Sequence, residues 1–142
     1  MAAIDKISLK WLEDAQARVN TDRGFRKRGS IDVQVGVANG NDVFLLSFEA
    51  FGCTKVRAIA KHELRDADFV LEMTPERWER FLAERRSGDG PSLLDLDATD
   101  AIVHAANPRK RLEFLRVHTS VQAFFDAGVG RLTPVRESAS AY

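Results

Sequence analysis

Residues 67–125 contain the same unit twice, a short apolar strand pattern that leads directly into a helix beginning at a proline. Thr74-Pro75 and Asn107-Pro108 are the two junctions, each a capping residue followed by proline at the first helical position. Proline is tolerated there because its missing amide hydrogen would be unpaired in any case. The first strand alternates, so Phe69, Leu71 and Met73 share one face. The repeat therefore predicts a sheet with one apolar face and helices that cover it.

The rest of the chain predicts further elements around this unit. Apolar residues at three- and four-residue steps predict an amphipathic helix over residues 4–19. A turn-rich, basic segment follows and predicts an exposed loop. Strands are predicted over residues 31–37, 43–48, 53–59, 68–73 and 101–106. A further loop is predicted at residues 61–66, and a short helical turn is predicted within residues 91–99. Long helices are predicted from Pro75 to about Gly88 and from residue 109 to 127. This order implies an α+β layer with helices on one face.

Composition narrows the class of protein. The 142 residues predict one domain over residues 1–130 and a frayed tail at 131–142. The charges of the 21 basic and 21 acidic residues cancel, so no net positive charge favours binding to nucleic acid. Cys53 is the single cysteine and no ligand spacing resembles a metal site, so neither disulfide, metal nor cofactor is expected. The single cysteine fits a reducing compartment, so a cytoplasmic location is expected, and no apolar run is long enough to span a bilayer.

Local motifs give little support for catalysis. The hydrolase, phosphate-loop and dinucleotide signatures are absent, and the acidic run at residues 95–100 lacks the turn glycine and final glutamate of a calcium loop. His104 is the most interesting histidine, because a strand places it on the side of Ile102 and Ala106. If that side faces a cavity, His104 could act as a base, with Asp68 or Asp100 as its acid, or bind a head group.

Basic residues cluster at the start of the last predicted helix. Arg109, Lys110 and Arg111 oppose the positive end of the helix dipole, at a cost of a few tenths of a kcal/mol when exposed. An anion there, whether a phosphate, a carboxylate or a membrane surface, would relieve this mismatch. The alternative is that these basic side chains form an ordinary solvent-exposed surface.

The phenylalanine and tryptophan side chains also allow two interpretations. A sheet with one apolar face, covered by helices rich in aromatic residues, can form a packed core or enclose a ligand-binding cavity.

Three segments together resemble the sterol carrier protein 2 domain: ADFVLEMTPERWERFL, SGDGPSLLDLD, and AIVHAANPRKRLEFL through FFDAG. The resemblance covers residues 67–128, and the preceding helix and strand meander agree in order. It implies a single five-stranded, mostly antiparallel sheet with helices packed on one face around a hydrophobic tunnel. The tunnel lining carried over by position comprises Phe69, Leu71, Trp78, Phe81, Leu82, Leu112, Leu115, Phe124 and Phe125. One departure is Ala106-Asn107-Pro108, where the family usually has glycine before the last helix.

The leading hypothesis is non-catalytic binding or transfer of a fatty acid, a fatty acyl-CoA or a sterol-like lipid, with Arg109, Lys110 or Arg111 near its head group. One alternative is a small cavity enzyme of isomerase or hydrolase type that uses His104 as acid or base. Another is an interaction domain whose apolar groove accepts a partner helix. The sequence is compatible with transient membrane contact and with a homodimer.

Overall fold

A computed structural model of the chain describes residues 5–130. The predicted helix start at Ile4 and the predicted tail at residues 131–142 lie outside this range. The helices are α1 (Leu9–Thr21), α2 (Arg23–Arg26), a 3₁₀ helix (Lys61–Asp66), α3 (Pro75–Ser87), α4 (Leu93–Asp100) and α5 (Pro108–Gly128). The strands are β1 (Val33–Asn39), β2 (Asp42–Glu49), β3 (Gly52–Ile59), β4 (Phe69–Met73) and β5 (Val103–His104).

The five strands form one sheet in the order β3-β2-β1-β4-β5. Only β1 and β4 pair in parallel, and the other three pairings are antiparallel. The predicted α+β class and the mostly antiparallel five-stranded sheet are therefore confirmed. β3 lies at an edge, and its outward Lys55 and Arg57 are exposed, as expected of an edge strand.

One face of the sheet forms the floor of the core. Val35 on β1 pairs with Leu46 on β2 and with Phe69 on β4, so all three side chains point to the same face, and all are buried. Helices α1, α3 and α5 cover this face. The opposite face receives the 3₁₀ helix, where a β-carbon on Gly36 would come within 2.9 Å of Leu64 and Val70 side-chain atoms. Glycine lets this segment approach the sheet closely.

Both predicted proline junctions begin helices as expected. The Thr74 hydroxyl accepts a hydrogen bond from the backbone N–H of Arg77, and the Asn107 side chain accepts one from Lys110. Helix α1 begins later than predicted because the Ser8 hydroxyl caps it, accepting from the N–H of Trp11 at 3.1 Å. Residues 5–8 therefore precede the helix.

Several boundaries differ from the sequence prediction. The Asp22 side chain accepts from the N–H of Gly24 and begins α2 inside the predicted loop. Residues 61–66 form a 3₁₀ helix where a loop was predicted. The last strand, predicted over 101–106, has only two residues, because Ala101 adopts a positive φ of 53° that ends α4. Among residues 5–130, no helix combines the length and apolar composition needed to cross a bilayer.

Candidate functional site

The space between the sheet and its helices is filled by aromatic rings. Seven of these side chains are less than 2% exposed: Phe48, Phe69, Trp78, Phe81, Phe114, Phe124 and Phe125. We call these seven the ring cluster. They come from β2, β4, α3 and α5, so the cluster joins the sheet to the two helices that follow the proline junctions.

Phe125 is the most connected ring of the cluster. Its centroid lies 5.4 Å from that of Trp78, 6.2 Å from that of Phe81 and 5.3 Å from that of Phe124. Phe69 packs edge-to-face on Phe114, with centroids 5.4 Å apart. These separations lie in the range of favourable aromatic pairs, which each contribute about 0.5–1.5 kcal/mol beyond burial. The rings therefore support one another through direct contact.

Trp78 carries the only polar side-chain atom of the ring cluster. Its indole N–H donates to the backbone carbonyl of Ala38 on β1 at 2.9 Å, which satisfies a donor that would otherwise be buried and unpaired. This bond fixes the indole against the sheet while its ring faces Phe81 and Phe125. With no titratable side chain among its members, the ring cluster is suited to hold apolar groups rather than to transfer protons.

Most of the predicted lining residues meet in this interior. Phe69, Leu71, Trp78, Phe81, Leu82, Phe124 and Phe125 are each 2% exposed or less. Sequence reasoning did not include Phe48 and Phe114 in the lining. Phe114 could have been predicted from the sequence, since it lies on the same side of the helix as Val117 and Val121. The position of Phe48 in the cluster depends on the register of β2, which the sequence pattern does not give.

Leu112 and Leu115 lie elsewhere. They are 60% and 47% exposed, because the buried stripe of α5 runs through Phe114 and Val117 and places these leucines on the opposite side of the helix. The structure therefore does not bring them into the interior with the ring cluster. Arg109 is also exposed, on the first turn of α5.

His104 lies on the outer face of the sheet. It pairs with Val70 across β4 and β5, and its Nε2 is 3.2 Å from the Oε1 of Glu72. Both side chains are more than half exposed. The carboxylates predicted beside it are engaged elsewhere: Asp68 accepts from the backbone N–H of Gln34, and Asp100 pairs with Arg77. The carboxylate next to His104 is thus Glu72, not Asp68 or Asp100.

The basic segment at the start of α5 is largely paired. Arg111 donates to the buried carboxylate of Asp97 and to the backbone carbonyl of Val103. The Lys110 ammonium lies 3.8 Å from the Asp68 carboxylate. Arg111 thereby ties α5 to α4 and β5, a structural role that the sequence spacing alone did not reveal.

Among residues 5–130, open surface depressions lie outside the ring cluster. One of about 400 Å³ lies between α1 and the turn joining β2 to β3, where Phe51 and Arg26 line it. Another of about 360 Å³ is lined by His104, Asn107 and Arg111. A third, also about 360 Å³, lies between α3 and the end of α4 beside Arg77.

Comparison with known proteins identifies the fold. No protein-family model matches the chain, and no curated protein matches it in sequence. The crystal structure of sterol carrier protein 2 superposes with a TM-score of 0.62 at 14% identity, covering 90% of this chain and 98% of that one. The solution structure of a conserved hypothetical protein from Thermus thermophilus, described as possibly a sterol carrier protein, has a TM-score of 0.60 at 14% identity and covers 90% and 92%.

The chain is thus an α+β protein with the fold of sterol carrier protein 2. The likeness extends over nearly all of the described residues and over nearly the whole of both solved structures. At 14% identity it establishes the architecture.

Proposed function

We propose that this protein binds a hydrophobic ligand, such as a fatty acid, a fatty acyl-CoA or a sterol-like lipid, and carries it without chemical change. The observation that supports this most directly is the ring cluster, an apolar interior between the sheet, α3 and α5 in a fold shared with sterol carrier protein 2. The proposed contact residues are the interior ones of the predicted lining: Phe69, Leu71, Trp78, Phe81, Leu82, Phe124 and Phe125.

Binding in this interior requires the rings to separate. Giving up two or three ring pairs costs about 0.5–1.5 kcal/mol each. Burying about ten methylenes of an acyl chain contributes roughly 8 kcal/mol. A long chain therefore offsets the lost ring contacts, whereas a short one does not. We accordingly expect affinity to rise steeply with acyl-chain length.

Quenching of tryptophan fluorescence by a brominated fatty acid tests this proposal. In Trp11→Phe, Trp78 is the one remaining tryptophan, and a long brominated fatty acid should quench it saturably as bromine reaches the interior. A short brominated acid at equal concentration controls for collisional quenching. The matched variant Trp78→Phe retains Trp11, which stacks on Phe125 at 6.0 Å and reports on the edge of the cluster.

Native mass spectrometry gives an independent readout. Delipidated protein mixed with fatty acids, acyl-CoAs or sterols should show adducts of one ligand per chain. Absence of both adducts and saturable Trp78 quenching would contradict the proposal.

The alternative of a small cavity enzyme has one supporting observation, the 3.2 Å approach of His104 to Glu72 beside an open depression. A histidine and carboxylate in contact form a recognisable acid-base pair. Both are exposed to water, however, which weakens every electrostatic interaction they make with a substrate. His104→Ala separates the two functions, because carriage of a ligand in the interior does not involve this outer-face side chain.

A further inference from the structure

A buried acceptor on the inner face of the sheet has no hydrogen-bond partner. Among residues 5–130, the side-chain oxygen Oδ1 of Asn39 is shielded from solvent and accepts no hydrogen bond. Buried polar atoms of native proteins are nearly always paired, because an unpaired one has given up its hydrogen bonds to water without a replacement. The Oδ1 of Asn39 is therefore an acceptor that the folded chain leaves available.

The orientation of this amide group is set by its other end. The Nδ2 of Asn39 donates to the backbone carbonyl of Ile7 at 3.1 Å. A carbonyl can only accept, so the NH₂ group faces Ile7 and the Oδ1 points away from it. Exchanging the two atoms would set two acceptors against each other and leave a buried donor unpaired. The available group is thus an acceptor and not a donor.

Strand geometry places Asn39 at the end of the apolar row that faces the interior. Asn39 follows Val37 on the inner face of β1, and it pairs in register with the buried Met73 on β4. The preceding residue, Ala38, offers the carbonyl that accepts the indole N–H of Trp78. The available acceptor therefore lies one residue from the point where the ring cluster is tied to β1.

The chemistry around the Asn39 oxygen favours an uncharged donor. A carboxylate carries only acceptors, and Asp42, which pairs with Asn39 in register across the hairpin, adds an acidic neighbour that repels it. An ammonium group can donate, but an ion costs far more than a neutral group to bury in an apolar interior. A hydroxyl group donates one hydrogen bond and carries no charge. A hydroxyl at the end of an apolar molecule meets both conditions.

We propose that Asn39 is a polar contact for the bound ligand and that it selects a lipid with a neutral hydroxyl head group, such as a long-chain alcohol, over the carboxylate of equal chain length. The hydroxyl donates to Oδ1 while the alkyl chain follows the inner face of β1 toward the ring cluster. This inference rests on the proposed carriage of a hydrophobic ligand and adds to it a preference among head groups.

Two probes that differ in the donor test this assignment. In Trp11→Phe, a long-chain alcohol brominated in mid-chain should quench Trp78 saturably. Its methyl ether keeps the oxygen but cannot donate, so it should bind about fivefold more weakly or worse. The brominated fatty acid of equal chain length, ionised at about pH 8, should also bind more weakly than the alcohol.

Variants in the same background locate the acceptor. Asn39→Ala removes Oδ1, so the alcohol and the ether should then bind within about twofold of each other. This variant also frees the Ile7 carbonyl. Ser8→Ala is the matched control, because it removes the cap of α1 beside Ile7 but keeps Oδ1, and it should retain the preference for the alcohol. The comparison of alcohol with ether in Trp11→Phe stands even if Asn39→Ala fails to fold.

Three results would overturn the proposal: equal affinities of the alcohol and the ether in Trp11→Phe, an unchanged preference for the alcohol in Asn39→Ala, or a crystal structure of the alcohol complex in which a water and not the ligand hydroxyl bonds to Oδ1. Failure here is distinguishable from failure of ligand carriage. If carriage fails, no brominated probe quenches Trp78 saturably, whereas equal quenching by alcohol and ether leaves carriage intact and refutes the role of Asn39.

Discussion

The indole ring of Trp11 packs against the α-carbon of Gly128, so closely that a β-carbon on Gly128 would lie 2.3 Å from Cη2 of the ring. The ring is held from two sides, since its N–H donates to Asp5 at 3.0 Å and its plane stacks on Phe125. Nearby, the Arg18 guanidinium donates to the backbone carbonyls of Ala127 and Gly128. Helix α1 is thereby fastened to the end of α5, which positions Phe124 and Phe125 over the sheet.

Gly128→Ala should destabilise the protein, although alanine is the better helix former. Helix propensity favours the change by at most about 1 kcal/mol, while overpacking against a held ring costs about 1–3 kcal/mol. Chemical denaturation should show a net loss. In a Trp11→Ala background the same substitution should become neutral or stabilising, and an unchanged penalty there would refute the steric explanation.

Asp97→Ala should cost about 2 kcal/mol of the free energy of unfolding. The carboxylate is 4% exposed and accepts from both Arg111 and the buried backbone N–H of Val103; alanine leaves the Val103 N–H unsatisfied and removes the pair with Arg111. As the matched control, Asp14→Ala removes an exposed pair with Lys10 and should cost about 0.5 kcal/mol or less. Equal effects of the two substitutions in urea denaturation would contradict the structural role of Asp97.

Asp5 should make the protein lose stability in acid. Partial burial raises its pKa, but hydrogen bonds from Arg86 and Trp11, together with the charge of Arg86, outweigh this and hold the pKa below its ordinary value of 3.8. A lowered pKa in the folded state stabilises the protein above pH 3.8, and that stabilisation is lost as the pH falls through the folded-state pKa.

Denaturation midpoints measured from pH 5 to about pH 2 should therefore fall less steeply in Asp5→Asn than in the parent chain. Arg86→Gln should flatten the profile in the same direction, because it removes the partner that lowers the pKa. The exposed Arg28→Gln serves as the control. A parent-like acid slope in both test variants would show that Asp5 does not contribute.

Cys53 should be unreactive in the folded protein. The residue is 1% exposed, and burial raises the pKa of its thiol to about 12, so little thiolate forms near pH 8. Ellman's reagent should label it only as fast as the structure opens, and at once in denaturant. The neighbouring Thr54 is exposed, so Thr54→Cys in a Cys53→Ala background should react rapidly when folded. Comparable rates for the two thiols would contradict this assignment.

Most elements of the fold were predictable because their signals are local. Period-two alternation identified β1 and β4, and the Thr74-Pro75 and Asn107-Pro108 junctions marked where α3 and α5 begin. The last strand was predicted too long, since the left-handed conformation of Ala101 depends on how α4 ends. The length of β5 also depends on its pairing with β4.

The residues of the candidate interior were partly predictable, because helical spacing is also a local signal. Trp78, Phe81 and Leu82 lie on one buried side of α3, as helical spacing predicts. The position of His104 could not be predicted in this way, because the face to which a strand residue points depends on strand register. Pairing with Val70 places His104 on the outer face of the sheet.

The sequence alone determined the order of the five strands and of α1, α3, α4 and α5, the residues that begin α3 and α5, and the apolar character of the chain's interior. It could not determine how much of the broad apolar arc on α5 would be covered. Phe114 and Val117 point to the sheet and are buried, while Leu112 and Leu115 remain outside. Only the tertiary structure decided this, because burial depends on which neighbouring elements pack against each side of a helix.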